Sequence, residues 1–182
     1  MESNFPPPAP PTVDSLVGVA HQKTAQELEA ELGLAVLVGP DAESGDDDDD
    51  PWAFSTVSIG SVLDDGTDPA DSFRESVVFG IKKKRPGPFA DTILVGRSSS
   101  NDICIPDQSL SKLHARIHMQ PEGGMVVTDS GSKNGTKVNG RRLGDKDRPE
   151  VRHGDEVQFG TRTFKVYATA RLHTVLGNLV PS

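Results

Sequence analysis

From about residue 76 to residue 168 the apolar residues come in short runs, each interrupted within a few positions by glycine, proline, asparagine or aspartate. The runs at 76–83, 92–95, 103–105, 113–119, 124–129, 136–139, 156–159 and 163–168 have the length and spacing of β-strands. So many short strands with turns between them predict an all-β sandwich or barrel. Two stretches follow a different period. Leu172, Val175, Leu176 and Leu179 recur at helical spacing and predict a short C-terminal helix over 171–179, packed across the strands. Thr24 followed by Glu27 forms a capping-box pattern ahead of Ala25, Leu28 and Leu32, and allows a short helix near 21–38 that Gly33 and the β-branched residues after it would end.

The rest of the first 75 residues has no such period. It opens with the proline run at 6–11, read as an extended spacer, and continues to five consecutive aspartates, Asp46 to Asp50. Trp52 and Phe54 then suggest either a docking segment or an accessory strand or collapsed linker, and residues 64–72 read as loop. The division expected from these patterns is a largely disordered acidic N-terminal arm over 1–75, a β-sandwich domain over 76–170, and a short helical tail over 171–182. A core of about a hundred residues can support itself.

Charge sharpens the division. The first 75 residues hold 17 acidic residues against Lys23 and Arg74 alone, whereas the rest hold 17 Lys and Arg against 10 Asp and Glu. The two parts therefore carry −15 and +7, the formal −8 of the whole chain. The sandwich segment is basic and suited to an anionic ligand. The single cysteine, Cys104, excludes an internal disulfide and reads as a small apolar residue of the 103–105 strand. No apolar run approaches the roughly 18 residues that span a bilayer, and the N-terminus lacks the basic start and apolar core of a signal peptide, so a soluble cytoplasmic protein is expected.

Three signals stand at the ends of expected strands: Gly96-Arg97, Ser111-x-x-His114, and Asp129-x-Gly-Ser-x-Asn134-Gly135-Thr136 running on to Asn139-Gly140. A fourth, the turn at 153–160 with Gly154-Asp155-Glu156 and Gly160, closes the segment. In this order and spacing they resemble the forkhead-associated (FHA) family of phosphothreonine-binding domains, from near residue 76 to near residue 168. The resemblance implies a twisted two-sheet β-sandwich with its site in the loops at one end. It makes Arg97 the principal phosphate ligand and Ser111 a hydroxyl donor, and lets Lys112 add charge or a backbone amide. Asn134 would read the main chain of the bound peptide, and His114 would brace the serine loop. Gly96 and Gly135 support the turns that present these side chains.

The chemistry agrees with that assignment. A phosphothreonine brings nearly two negative charges and three strong acceptor oxygens, which call for a guanidinium fork and short oriented donors on a rigid frame. The family commonly has a small hydroxyl residue before Asn-Gly, where this chain has Lys133; the lysine can reach toward the phosphate or acidic ligand residues, or narrow the pocket for the threonine methyl. Ser132 can add a hydroxyl.

Other chemistries fail on particular residues. An EF-hand loop from Asp46 would need glycine at its sixth position and glutamate at its twelfth, where Pro51 and Val57 stand. A Walker A loop from Gly131 fails at Thr136. His114 and His118 have no further ligands to make a metal site, and spacing alone supplies no catalytic constellation. The basic run Lys82 to Arg85 lacks a groove-reading motif or stacking platform, so nucleic acid is not expected.

The expected function is therefore a non-enzymatic phosphothreonine-dependent adaptor acting downstream of a Ser/Thr kinase, without cofactor, metal or small-molecule substrate. Its partner would be a phosphothreonine protein or its own arm, in which Thr56, with Ile59 three residues on, and Thr24 are the candidate internal ligands. The alternative is a phosphate-independent scaffold that docks through the acidic arm.

Overall fold

The computed structural model describes residues 9–40, 69–85, 87, 89–121 and 124–181. In chain order its elements are α1 (Val13–Ala20), α2 (Ala25–Leu32), β1 (Ala35–Gly39), α3 (Pro69–Glu75), β2 (Val77–Gly80), β3 (Thr92–Gly96), β4 (Ile103–Cys104), β5 (Ala115–Met119), β6 (Met125–Asp129), β7 (Thr136–Val138), β8 (Arg141–Arg142), β9 (Glu150–Val151), β10 (Glu156–Phe159), β11 (Arg162–Ala168) and α4 (Thr169–Gly177).

The strands form two sheets. One runs β2-β1-β11-β10-β7-β8 and the other β4-β3-β5-β6-β9. All pairings are antiparallel except β3 with β4, where the chain leaves β3 at Gly96, loops, and returns alongside it. Alternate residues of each strand face the space between the sheets, and Leu37, Ile93, Val95, Ile117, Val127, Val157, Phe159, Phe164 and Val166 fill it. Phe164 sits between Phe79, edge-on at 5.8 Å, and Phe159 at 6.2 Å. This is the all-β two-sheet sandwich that the strand pattern and the family resemblance imply, with a short C-terminal helix.

The first 40 residues require a correction. Residues 12–39 are not an arm outside the domain but part of it: β1 lies between β2 and β11, with Leu37 opposite Phe79 on one side and Val166 on the other. Its five residues are all buried. Ala35 and Leu37 enter the sandwich core, while Val36 and Val38, on the other face, pack with Val78 under the helices. There Val13, Leu16 and Val17 of α1, Leu28 of α2, and Leu172 and Leu176 of α4 make a second apolar cluster. A helix layer thus covers the outer face of the six-stranded sheet. The short helices are stable because that surface buries them. The capping box on α2 forms as the sequence predicts, Thr24 Oγ1 accepting from Glu27 N and the Glu27 carboxylate accepting from Thr24 N at 2.7 Å. Even the end of the proline run is tied down, since Val78 N donates to Pro11 O at 2.8 Å.

The acidic stretch is therefore flanked by strands. Residues 41–68 hold ten acidic residues and no Lys or Arg, and connect β1 to α3 and β2 inside the domain sequence. Asp46 to Asp50, the docking segment at Trp52 and Phe54, and Thr56 lie outside the described residues. Pro69–Glu75, where the pattern gave loop up to residue 72, is helical. Among the described residues no helix is long and apolar enough to cross a membrane.

Candidate functional site

Four connections meet at one end of the sandwich: 97–102 after β3, 105–114 before β5, 130–135 before β7, and the turn at Gly160-Thr161. They hold one another through backbone groups. Arg97 N donates to Ser111 O at 3.0 Å and Ser98 N to Lys112 O at 3.2 Å, fixing the arginine loop to the serine loop. Lys133 N donates to Ser111 Oγ at 3.0 Å, which brings the third loop to the same serine. Asn134 Nδ2 donates to Ser109 O at 2.7 Å, and Thr161 N donates to Ser109 Oγ at 3.1 Å.

His114 is the hub of this arrangement. It is fully buried and lies edge-on to Phe159 at 6.0 Å. Its Nδ1 accepts from Ser111 N at 3.0 Å, which leaves Nε2 to carry the proton and donate to Gly135 O at 3.0 Å. One neutral imidazole therefore joins the serine loop to the asparagine loop. Burial holds its pKa below the ordinary value, with the Gly135 carbonyl and Asp129 opposing that in part. Both hydrogen-bond partners of the ring, Ser111 N and Gly135 O, are backbone groups. His118 sits lower in β5, between the hydroxyls of Thr92 at 3.2 Å and Thr128 at 3.4 Å.

Asp129 is the second hub. Its Oδ1 accepts from Ser132 Oγ at 2.6 Å and Thr136 Oγ1 at 2.7 Å, and its Oδ2 from Gly131 N and Ser132 N at 2.9 Å each. Burial by itself would raise the carboxyl pKa, but these donors, Ser132 and Thr136 hydroxyls first, outweigh it and hold the pKa below the usual value. Ser132 also accepts from Gly135 N at 2.9 Å. Its hydroxyl is thus engaged twice inside the loop, donating to Asp129 and accepting from Gly135 N.

The glycines act through close approach as well as conformation. A Cβ on Gly96 would stand 2.5 Å from Lys112 O and 2.9 Å from Ser111 O, so only glycine lets β3 pass under the serine loop. Gly135 has a φ of 84°, in the left-handed region, and carries the chain past His114.

What faces outward is cationic. Arg97 is exposed and uses only Nε internally, donating to Leu110 O at 3.3 Å, which leaves both terminal nitrogens of its fork available. Lys112 and Lys133 are exposed, and neither ammonium bonds to any described residue. Asn134 keeps its amide oxygen and one N–H for a ligand. Arg97, Ser111, Lys112, Lys133 and Asn134 are thus brought together, with Gly96, His114 and Gly135 beneath them.

Some contributors escaped the sequence reading. Asn101, 3% exposed, donates from Nδ2 to Ser98 O at 3.0 Å and Lys112 O at 2.5 Å and so shapes the arginine loop. Ser109 links the asparagine loop to the β10–β11 turn. Asp129 stood inside the quoted motif, but nothing in the sequence assigned it a role; Asn101 and Ser109 had no local signal at all. The basic run at 82–85 is also less free than its sequence suggests: Lys82 bonds Ala30 O, Lys83 donates to Asp102 at 2.9 Å and Thr92 O at 2.7 Å, and Lys84 donates to Asn101 O at 2.8 Å. Cys104 Sγ points at Arg97 O, 3.5 Å away, and burial raises its pKa, with Lys84 opposing in part, so the thiol stays protonated.

Known proteins bear on this site. The FHA domain model matches residues 93–160, the segment that contains the arginine, serine and asparagine loops and ends at Gly160 of the last turn. The oxoglutarate dehydrogenase inhibitor of Corynebacterium glutamicum is 32% identical over 105 residues, 52% of this chain and 71% of that protein. An ABC transporter ATP-binding/permease protein of Mycobacterium tuberculosis is 40% identical over 68 residues, 37% of this chain but only 7% of the transporter. Among solved structures, the FHA domain of the CT664 protein from Chlamydia trachomatis covers 50% of this chain and 84% of its own, at 27% identity and a TM-score of 0.42. The chain spans less than a tenth of the first two curated relatives it matches. With the motif residues assembled at one loop cluster and the inhibitor matched over most of its length, this chain belongs to the FHA domain family.

Proposed function

We infer that the protein is a phosphothreonine-dependent interaction module, in which the Arg97 fork and the Ser111 hydroxyl hold the phosphate and Asn134 reads the neighbouring peptide backbone. FHA domains are phosphothreonine-binding interaction modules rather than enzymes. The observation that carries the reading is the convergence at Ser111: its backbone oxygen accepts from Arg97 N, and its hydroxyl accepts from Lys133 N. A phosphate beside Ser111 would therefore lie against three loops at once. Lys112 and Lys133 add positive charge where no described carboxylate neutralises them. Charge-assisted bonds from a guanidinium and ammonium groups are the strong kind, and a dianionic phosphate draws more from them than a carboxylate can.

A Ser/Thr kinase acts upstream in this reading, and the ligand is another protein or this chain's own Thr56. Thr24 is the weaker internal candidate, because its hydroxyl caps α2 in the helix layer, where His173 Nε2 donates to Lys23 O at 2.8 Å. The test is an oriented library of phosphothreonine peptides, with phosphoserine and unmodified controls, against the wild type and Arg97→Ala at physiological salt. The reading requires phosphothreonine-selective capture that the substitution abolishes. Equal capture of phosphorylated and unmodified peptides, unchanged in Arg97→Ala, points instead to a phosphate-independent scaffold.

A further inference from the structure

The β7–β8 hairpin carries a pair of arginines, Arg141 and Arg142, that neither the family motif nor the phosphate chemistry uses. Successive residues of a strand face opposite ways, and the two have different surroundings. Arg141 lies 3.5 Å from the Asp147 carboxylate. Arg142 has no hydrogen bond or ion pair from its side chain to any described residue, and it is exposed.

Its guanidinium nonetheless has a defined place. A Cβ built on Gly135 would lie 2.7 Å from Cζ, 2.7 Å from Nη2 and 2.9 Å from Nε of Arg142. The guanidinium therefore lies over the Gly135 backbone, in the space that any other residue at 135 would fill with its side chain. Gly135 follows the peptide-reading Asn134, and its carbonyl is the acceptor for His114. The strand register supports the placement: Arg142 is opposite Lys137, and Leu143 N donates to Thr136 O at 2.9 Å, so β8 is bonded to the segment that leaves the asparagine loop. Nothing within the described protein neutralises this cation, and an arginine fork offers five donors in a plane suited to a carboxylate or a phosphate.

We propose that Arg142 is a specificity residue of the peptide site, binding a second anionic group on the ligand that flanks the phosphothreonine on the Asn134 side. This rests on the phosphothreonine reading of the site. The anion is an Asp or Glu side chain or a second phosphorylated residue, which share the same recognition chemistry. Arg97 sets whether a phosphopeptide binds; Arg142 selects among phosphopeptides.

The experiment uses the full chain and measures peptide affinity by fluorescence anisotropy for a phosphothreonine series in which each flanking position carries in turn Gln, Glu or phosphoserine. Wild type, Arg142→Gln and Arg171→Gln are compared; the last removes an equal charge from the exposed face of α4 in the helix layer. The expected result is an acidic preference of about three- to tenfold at one flanking position in the wild type and in Arg171→Gln, falling to less than twofold in Arg142→Gln. Arg142→Gln keeps its requirement for phosphothreonine and the wild-type melting temperature. Whether Glu or phosphoserine gives the larger preference identifies the source of the anion. An unchanged flanking profile in Arg142→Gln, while the wild type binds phosphothreonine, overturns this proposal alone. Absence of phosphothreonine binding in the wild type overturns the functional reading and this proposal with it.

Discussion

Replacing His114 with leucine tests the physical basis of the site more sharply than removing a ligand-facing group. The two side chains are similar in size, so the cavity term is small, but both ring nitrogens disappear. Ser111 N and Gly135 O then lose the partners they have at 3.0 Å each. A buried backbone group left unsatisfied costs about 1–3 kcal/mol, so the pair costs about 2–6 kcal/mol, less what the added apolar contact with Phe159 returns. Against a typical stability of about 5–15 kcal/mol the variant still folds, with a loss of about 2–5 kcal/mol. The protonation state adds a second signature. Burial lowers the folded-state pKa of His114, so the unfolded chain binds the proton more readily. This contribution is complete above the unfolded value near 6.5 and is lost as pH falls from there through the folded one, by at most about 1.4 kcal/mol per pH unit. His118, also lowered by burial and then by Arg148 and Arg116, adds a slope of the same sign. Equilibrium urea unfolding followed by far-ultraviolet circular dichroism at pH 7.5, 6.5 and 5.5 measures both effects; the only tryptophan, Trp52, lies outside the described residues and is a poor reporter. His114→Leu should be destabilised at pH 7.5 and shallower in its pH dependence than the wild type, with His118→Gln as the control for the remaining slope. A loss below 1 kcal/mol together with an unchanged slope would refute the hub assignment.

Three further outcomes are expected. Thr136→Val removes one of four donors to Asp129 and should cost about 1–3 kcal/mol in the same urea assay, while Asp129, with its folded pKa lowered, contributes stability that is full above the ordinary carboxylate value and is lost as pH falls through the folded one. Gly96→Ala places a methyl 2.5 Å from Lys112 O and should cost about 1–3 kcal/mol while weakening phosphopeptide binding at least tenfold, read by calorimetric titration. Deleting residues 1–39 removes β1 from the middle of its sheet and should leave no cooperative unfolding transition, whereas replacing residues 42–67 with a short Gly/Ser linker should preserve it, because Gly39 and Val77 are already paired neighbours.

The contrast between those two deletions shows where the sequence was legible. Strands with one face in the core and one outside, such as Met125–Asp129 and Glu156–Phe159, alternate in burial and stand out by period. β1 does not, because helices cover one of its faces and the opposite sheet the other, so Ala35–Gly39 is apolar throughout and follows a helix without a polar turn. Missing it turned an insertion between two strands into an apparent N-terminal arm. β8 and β9 are two residues each and mostly exposed, and leave no pattern to read. At the site, Arg97, Ser111, His114 and Asn134 stood out because they keep fixed spacing near strand ends. Ser132 carried the same kind of signal, yet Asp129 draws its hydroxyl inward. Arg142 enters only through the hairpin that folds it back over Gly135, a contact between residues seven apart that the spacing did not single out.

The central claim is that phosphothreonine binds at the loop cluster around Ser111. The most direct measurement is a ¹⁵N-labelled amide spectrum of the full chain titrated with a phosphothreonine peptide selected by the library, and with its unphosphorylated form. The account predicts saturable shifts concentrated at Arg97, Ser98, Ser111, Lys112 and Lys133 to Gly135 with the phosphorylated peptide, and none with the other. Shifts confined to the helix layer, or equal responses to the two peptides, would contradict it.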